Sequence, residues 1–297
     1  MKTFLSTLRN IVRHPLNRGT RVRALIRYVK WQIGGRLVPG PVVVPFVNDT
    51  SLIVSRGMTG ATQHLYTGLA DFAECSLLLH LLRKDQIFVD AGANVGVYTV
   101  LASGAVGAQT VSIEPVSRTF HKLCANLRIN NIADKVAAHN IGLGREESVL
   151  RFTTDRDTMN RVIKDENWTG PSAEVRVSTL DRVLDGRTPT LIKLDVEGWE
   201  SEVLAGATAT LACRTLLAMI VEMNSSDAAF SANELAVHEC LLSLGFMPYA
   251  YEPLARKLIP LKSKNLNAVN TIYLRDIDKV AALIDSAPRF RANGKSC

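Results

Sequence analysis

Residues 88–99 read Phe88-Val89-Asp90-Ala91-Gly92-Ala93-Asn94-Val95-Gly96-Val97-Tyr98-Thr99. An apolar run that ends in an acid and turns through two glycines has the form of a strand entering a helix through a loop that a ligand can approach closely. A dinucleotide loop would carry G-x-G-x-x-G; here Asn94 stands in the second glycine's place and Asp90 precedes the first. Asp90 would repel a pyrophosphate and attract an ammonium group, so the loop suits a cofactor with an amino-acid end. Glu114 closes the next apolar run, 18 residues after Gly96, where a carboxylate can accept both hydroxyls of a ribose. The pair points to S-adenosyl-L-methionine.

A second set of groups could act on an acceptor. Lys193 and Asp195 are two apart in an apolar run and share one face of a strand. Glu197 follows on the next loop, and Glu222 and Asn224 end another apolar run. Methyl transfer from a sulfonium needs an aligned acceptor and removal of its proton, and a hydroxyl needs a base or a divalent metal to react. Asp195 or Glu197 suits the base, with Lys193 orienting it or tuning its pKa and Glu222 converging on the same region. The oxygens of Asp195, Glu197, Glu222 and Asn224 also suit a partial shell for magnesium (Mg2+). Plainer roles compete: Glu197 as an acid at a helix N-terminus, and Glu222 as a buried partner of Lys193. His64 is either catalytic or a surface-loop histidine, and Trp199 either stacks on a ligand or packs on the sheet.

These residues need a scaffold that brings strand ends together. Strand patterns at 87–90, 110–114, 136–141, 190–195 and 216–222 alternate with helical patterns at 95–103, 117–130, 180–184, 199–211 and 234–244. Strands at 247–251 and 271–274 follow, residues 72–84 read as a helix, and residues 148–178 as an inserted hairpin or loop. Crossover helices imply parallel pairing, hence an α/β sheet with helices on both faces. Ligands of such sheets bind beyond the carboxyl ends of the strands, near residues 90, 114, 141, 195 and 222.

Asp90-Ala-Gly-Ala-Asn-Val-Gly96, Ile113-Glu114-Pro115, Asn140-Ile-Gly-Leu-Gly144, Ser178-Thr-Leu-Asp181 and Leu191-Ile-Lys-Leu-Asp195-Val-Glu-Gly198 resemble, in order and spacing, the FkbM family of methyltransferases. The resemblance covers about residues 72–224. It implies a class I methyltransferase (Rossmann-like) seven-stranded sheet whose last strand is antiparallel, S-adenosyl-L-methionine as cofactor, and sugar or polyketide-like hydroxyls as acceptors. It would place Asp90, Gly92, Asn94 and Gly96 around the methionine end and Glu114 on the ribose. Asn140 and Gly142 would lie near the adenine, and Asp195 would face the sulfonium and the acceptor.

The charge is unevenly spread. Residues 1–48 hold nine of the 35 basic side chains and no acid, so the other 249 residues carry 26 basic against 28 acidic groups, a net of −2. A uniformly basic nucleic-acid-binding domain is excluded, and no nucleic-acid partner is expected. Within 19–33, Val22, Leu25, Ile26, Val29 and Ile33 fall on one helical face beside Arg23, Arg27 and Lys30. That basic amphipathic helix either docks on its own domain or makes peripheral contact with an anionic membrane through residues 1–36; a homodimer contact is a further use. A small hairpin at 42–54 and a linker at 57–60 follow, with 59–71 as a segment that could close over the cofactor.

The organisation expected is a basic N-terminal extension over 1–70, an FkbM-like methyltransferase domain over 71–280 and a C-terminal tail over 281–297. Five scattered cysteines without a C-x-x-C pair fit neither a disulfide scaffold nor a zinc site and suit the cytoplasm. No run of about 18 apolar residues is present to span a bilayer, which leaves contact with the inner membrane surface. Expected partners are a small-molecule or glycan acceptor. Competing readings are an N-methyltransferase acting on RNA or protein, against which no Asn- or Asp-Pro-Pro-aromatic motif occurs, and a nicotinamide oxidoreductase, against which Asp90 and Asn94 stand. A non-catalytic scaffold at the membrane surface is the last.

Overall fold

The computed structural model describes residues 2–37, 40–155, 160–163, 165, 167–223 and 231–296. Two helices, α1 (Lys2–Arg13) and α2 (Arg21–Leu37), precede a hairpin of β1 (Val42–Pro45) and β2 (Ser51–Val54), then α3 (Thr59–Thr67) and α4 (Phe72–Leu81). The alternating part follows: β3 (Ile87–Ala91), α5 (Val97–Thr99) running into a π-helical stretch Val100–Val106, β4 (Gln109–Ile113), α6 (Ser117–Ile129) and β5 (Val136–His139). The inserted segment forms β6 (Gly142–Leu143), β7 (Ser148–Thr153) and β8 (Ser172–Ser178), a three-stranded sheet of its own. After α7 (Leu180–Leu184) come β9 (Leu191–Leu194), α8 (Glu200–Ala205), α9 (Thr208–Ala212), β10 (Ala218–Glu222), α10 (Ala232–Ser243), β11 (Met247–Glu252), β12 (Lys257–Pro260), β13 (Asn270–Leu274), α11 (Ile277–Asp285), β14 (Arg291–Ala292) and β15 (Lys295–Ser296).

The main sheet runs β12-β11-β13-β10-β9-β3-β4-β5. Strands β5, β4, β3, β9 and β10 are parallel, and β13 enters antiparallel between β10 and β11. This is the class I methyltransferase sheet, extended from the expected seven strands to eight by β12, which folds back on β11 as an edge hairpin. Phe88, Leu191 and Ile220 pack into one core beside α4, while Val89, Ile192 and Met219 pack into the other. Because side chains alternate along a strand, the residues two beyond the first set, Asp90, Lys193 and Glu222, emerge on that same face at the strand ends.

The local structure also differs from the sequence reading at other places. The helical pattern of 199–211 is broken at Gly206, where a Cβ would lie 2.1 Å from the Gly144 carbonyl oxygen. The chain restarts as α9, whose N-terminus is capped by the Asp181 carboxylate accepting from Ala209 N (2.9 Å) and Thr210 N (2.8 Å). The segment 59–71 is mostly helix α3 rather than a loop, and its Tyr66 carbonyl anchors the arm by accepting from Asn17 Nδ2. On α2, the inward residues are Ala24 and Tyr28, whereas Val22, Ile26, Val29 and Ile33 face outward. Residues 281–297, read as a tail, instead complete α11 and, through residue 296, form the β14–β15 hairpin, which bridges to Val47 through Ala292 and packs Phe290 in the core.

The hairpin of β1 and β2 is fastened to the alternating part by two asparagines, Asn126 on α6 and Asn130 at its C-terminal cap. Asn126 Oδ1 accepts from Ile53 N while its Nδ2 donates to Val95 O, and Asn130 exchanges hydrogen bonds with the backbone of Ser51. The loop after β3 is pinned as well: Gly92 N and Ala93 N both donate to Ile113 O. Gly92 has φ +81°, and a Cβ on it would stand 1.8 Å from the Asp195 carbonyl oxygen. Gly92→Ala therefore adds a left-handed penalty of about 1–2 kcal/mol and a backbone collision. Urea unfolding is expected to show at least about 2 kcal/mol of lost stability; an unfolding midpoint equal to wild type would contradict this packing.

Candidate active site

The strand ends open on a cavity of 430 Å³ lined by the β3, β4, β9 and β10 termini, by α3, by Phe152 and Asn160 of the inserted segment and by Val269 and Asn270 at the start of β13. That volume lies within the range of about 300–1,000 Å³ usual for small-ligand sites. It holds Asp90, Gly92, Asn94, Glu114, Gly142, Lys193, Asp195, Glu197 and Glu222, which the sequence singled out, and adds Asp71, Tyr98 and Asn270, which it did not.

At one end lies the glycine loop. Asp90, essentially inaccessible, accepts a 2.6 Å hydrogen bond from Thr99 Oγ1, itself 2.7 Å from Ser112 Oγ. Burial raises the Asp90 pKa, with Lys193 opposing. Glu114 accepts from Asn94 N (3.0 Å) through one carboxylate oxygen and from Val116 N (2.9 Å) through the other. Each oxygen keeps a lone pair, so the carboxylate fits a ribose diol without breaking the loop. Burial pushes Glu114 up to about 7 against those two hydrogen bonds. Asn94 adopts φ +50° and uses its Oδ1 to accept from Val95 N. Gly96, at φ +85°, touches Leu123 instead of the cavity.

The Asn140 side chain is engaged within the protein. Its Nδ2 donates to the carbonyls of Glu114 (2.8 Å) and Pro115 (3.0 Å), and its Oδ1 accepts from Ser117 Oγ, so the side chain braces the Glu114 turn. Ile141 and Gly142 supply the cavity wall in its place.

The other end is built around Lys193, only 5% exposed. Its Nζ donates to Asp195 Oδ2 at 2.5 Å and lies 4.9 Å from the centre of the Tyr98 ring. Burial works against the ammonium, yet Asp195, Asp90 and Asp71 together hold its pKa above the ordinary lysine value. Asp195 shows the converse: burial would raise it, but Lys193 and hydrogen bonds from Glu222 and Lys193 keep it below its usual value. Burial and the facing Asp195 push Glu222 well above the carboxylate range. Glu222 Oε2 is buried without a hydrogen-bond partner among the described residues. At this pair the proton therefore favours Glu222 and the negative charge favours Asp195.

Glu197 sits at φ +54°, where a residue with a Cβ carries about 1–2 kcal/mol of strain. Burial first, then Asp195 and Glu200, raise its pKa to about 7. Glu200, unnoticed in the sequence, shapes this loop: Oε1 accepts from Val196 N and Gly198 N, and Oε2 accepts from Asn233 Nδ2 at 2.7 Å. Its position directly after Trp199, at the start of a helix, was the available signal. One oxygen each of Asp195, Glu197 and Glu222 lie within 4.8 Å of one another, close enough to share a cation; Asn224, the fourth oxygen donor considered, lies outside the described residues. His64 is neither exposed nor in a loop. It is buried in α3, its Nδ1 accepts from Ala70 N, and burial lowers its pKa to about 4. Trp199 both lines the cavity and packs against the sheet.

Residues 90–248 match the methyltransferase FkbM domain. The chain belongs to the FkbM methyltransferase family. Methyltransferase 1 of Beauveria bassiana (strain ARSEF 2860) is 30% identical over 147 residues, a match covering 41% of this chain and 58% of that protein's length. Among solved structures, an rRNA methylase from Streptococcus thermophilus is similar at 15% identity and a TM-score of 0.39, covering 67% of this chain and 91% of that one. A precorrin-6y methyltransferase from Geobacter metallireducens is similar at 15% identity and a TM-score of 0.40, covering 70% and 89%.

The raised carboxyls make stability depend on pH. Glu74, buried beneath the site, and Glu114 are each pushed from 4.5 to about 7, chiefly by burial. Both bind a proton more tightly folded than unfolded, so their contribution is fully present below pH 4.5 and is lost as pH rises through 7. Each is worth on the order of 3 kcal/mol across that window. Asp195 acts in the opposite sense below its ordinary value of 3.8, and His14, His64 and His80, lowered by burial from 6.5 to about 4, act in the opposite sense between those values. The carboxyl contribution is therefore read as a difference: in urea unfolding of the ligand-free proteins, the stability of wild type relative to Glu114→Gln is expected to fall between pH ~5 and pH ~8. A relative stability that does not change with pH would contradict the Glu114 assignment.

Proposed function

We propose that the protein transfers a methyl group from S-adenosylmethionine to a hydroxyl of a sugar or similarly hydroxylated acceptor, with Glu197 receiving the hydroxyl proton. The observation that carries this reading is the carboxyl of Glu197, poised at about 7 in the cavity beside an ionised Asp195. A general base works best when its pKa lies near the working pH. Asp195, tied to Lys193 and held low, is the poorer proton acceptor and serves to orient.

The donor set fits the cofactor. Glu114 keeps lone pairs for the ribose, Asp90 and the turn through Gly92 and Asn94 supply a carboxylate and a close backbone at the amino-acid end, and the cavity is of suitable volume. When bound, the cofactor supplies a methyl group already activated on a sulfonium, so the protein's task is alignment and proton removal. Asp71, Asp195 and Glu197 make the acceptor side anionic, which disfavours phosphorylated or carboxylated acceptors and favours neutral polyols. The three clustered carboxyl groups are also a candidate magnesium shell, in which the cation would displace the Glu222 proton.

The test follows labelled methyl from S-adenosylmethionine into neutral glycans. The rate is expected to rise to a plateau as pH passes through about 7, where Glu197 ionises. Glu197→Gln is expected to lower kcat about 10²–10⁴-fold while S-adenosylhomocysteine affinity is kept. Wild-type turnover in that variant would remove Glu197 as base, and full activity in EDTA would remove the metal.

A further inference from the structure

The outer face of α2 is apolar and uncovered. At about 100° per residue, Val22, Ile26, Val29, Ile33 and Leu37 fall within an arc of about 80°. Their exposures run from 47% to 74%. The opposite face does the packing: Ala24 and Tyr28 are buried against Ile11 and Tyr66, with Trp31 half-buried beside them. The helix therefore has an inward stripe that fixes it to the protein and an outward stripe that no described residue covers. Exposed Arg23 and Lys30 border the outward stripe on one side and exposed Arg36 on the other, and the first 48 residues contain no acid.

We propose that this face is a docking surface for an anionic lipid bilayer, with α2 lying in the head-group plane, its five apolar side chains inserted and its basic borders against lipid phosphates. The charge selects this occupant. A second copy meeting the same face would bring Arg23, Lys30 and Arg36 against their own counterparts, whereas anionic head groups neutralise them. An in-plane helix with an apolar face and basic flanks is the form that binds a membrane surface, and no helix among the described residues is long and apolar enough to cross one. The docked helix would sit next to the cavity. Arg27 Nη2 donates to Tyr66 O at 3.0 Å and the Tyr28 ring meets Tyr66 edge-on at 5.0 Å, and α3, which carries Tyr66, supplies Gly60, Ala61, Gln63 and His64 to the cavity wall. This surface stands independently of the methyl-transfer reading.

Flotation of the full chain with vesicles tests it. Binding is expected to vesicles of equimolar phosphatidylglycerol and phosphatidylcholine, and to be at least about tenfold weaker to pure phosphatidylcholine. Ile26→Ser with Ile33→Ser is expected to weaken anionic-vesicle binding by about tenfold or more. Arg23→Gln, Lys30→Gln and Arg36→Gln together, which leave every packed residue in place, are expected to do the same and to reduce the salt dependence. Thermal unfolding of both variants should match wild type. Failure of the wild-type chain to float with anionic vesicles, or equal flotation of the charge variant, overturns the proposal. So does sedimentation equilibrium showing a dimer that only the apolar variant dissolves.

Discussion

One buried ammonium organises the charge of the whole site. Lys193 is nearly inaccessible, yet Asp195 binds it directly, and Asp90 and Asp71 lie close enough to keep it charged. Burying ions is unfavourable in itself and is tolerated only when the partners and hydrogen bonds are well placed. The cluster is therefore better understood as fixing charge states than as adding stability. Lys193 keeps Asp195 ionised; burial and then the ionised Asp195 favour the proton on Glu222; and the same negative charge, after burial, lifts Glu197 toward neutrality. Three carboxyls within 4.8 Å thereby acquire different roles.

The backbone around this ammonium is arranged to keep those distances short. Gly92 brings the loop after β3 against the Asp195 carbonyl, so the loops after β3 and β9 are packed as one unit. Glu200 gathers the amides of Val196 and Gly198, holding Glu197 in its left-handed conformation. Asn140 braces the turn that carries Glu114. Each of these residues acts through another, and each converts a flexible strand end into a fixed one. The family match over residues 90–248 spans all of them.

Much of this was legible in the sequence because strand alternation carries both core and chemistry. A reader who sees Phe88, Leu191 and Ile220 as one buried face obtains Asp90, Lys193 and Glu222 on that face without further information. The polar contacts that join different elements were not legible: Thr99 on Asp90, Tyr98 over Lys193 and Asn233 on Glu200 depend on how helices lie across the sheet. The break at Gly206 was hidden for a related reason: the pattern of 199–211 is helical throughout, and the Gly144 carbonyl packed against Gly206 and the Asp181 carboxylate at the start of α9 come from other elements. On α2 the periodicity correctly marked a helix but not which side faced the protein. The inward contacts rest on Ala24, Tyr28 and Trp31, a weaker pattern than the outward aliphatic stripe.

The most direct measurement is infrared difference spectroscopy on ligand-free protein at neutral pH, wild type against Glu222→Gln. A protonated carboxyl band present in wild type and lost in the variant is the result that an ionised Asp195 paired with Lys193 requires. Wild type showing only an ionised Glu222 carboxylate would contradict the charge order that Lys193 sets.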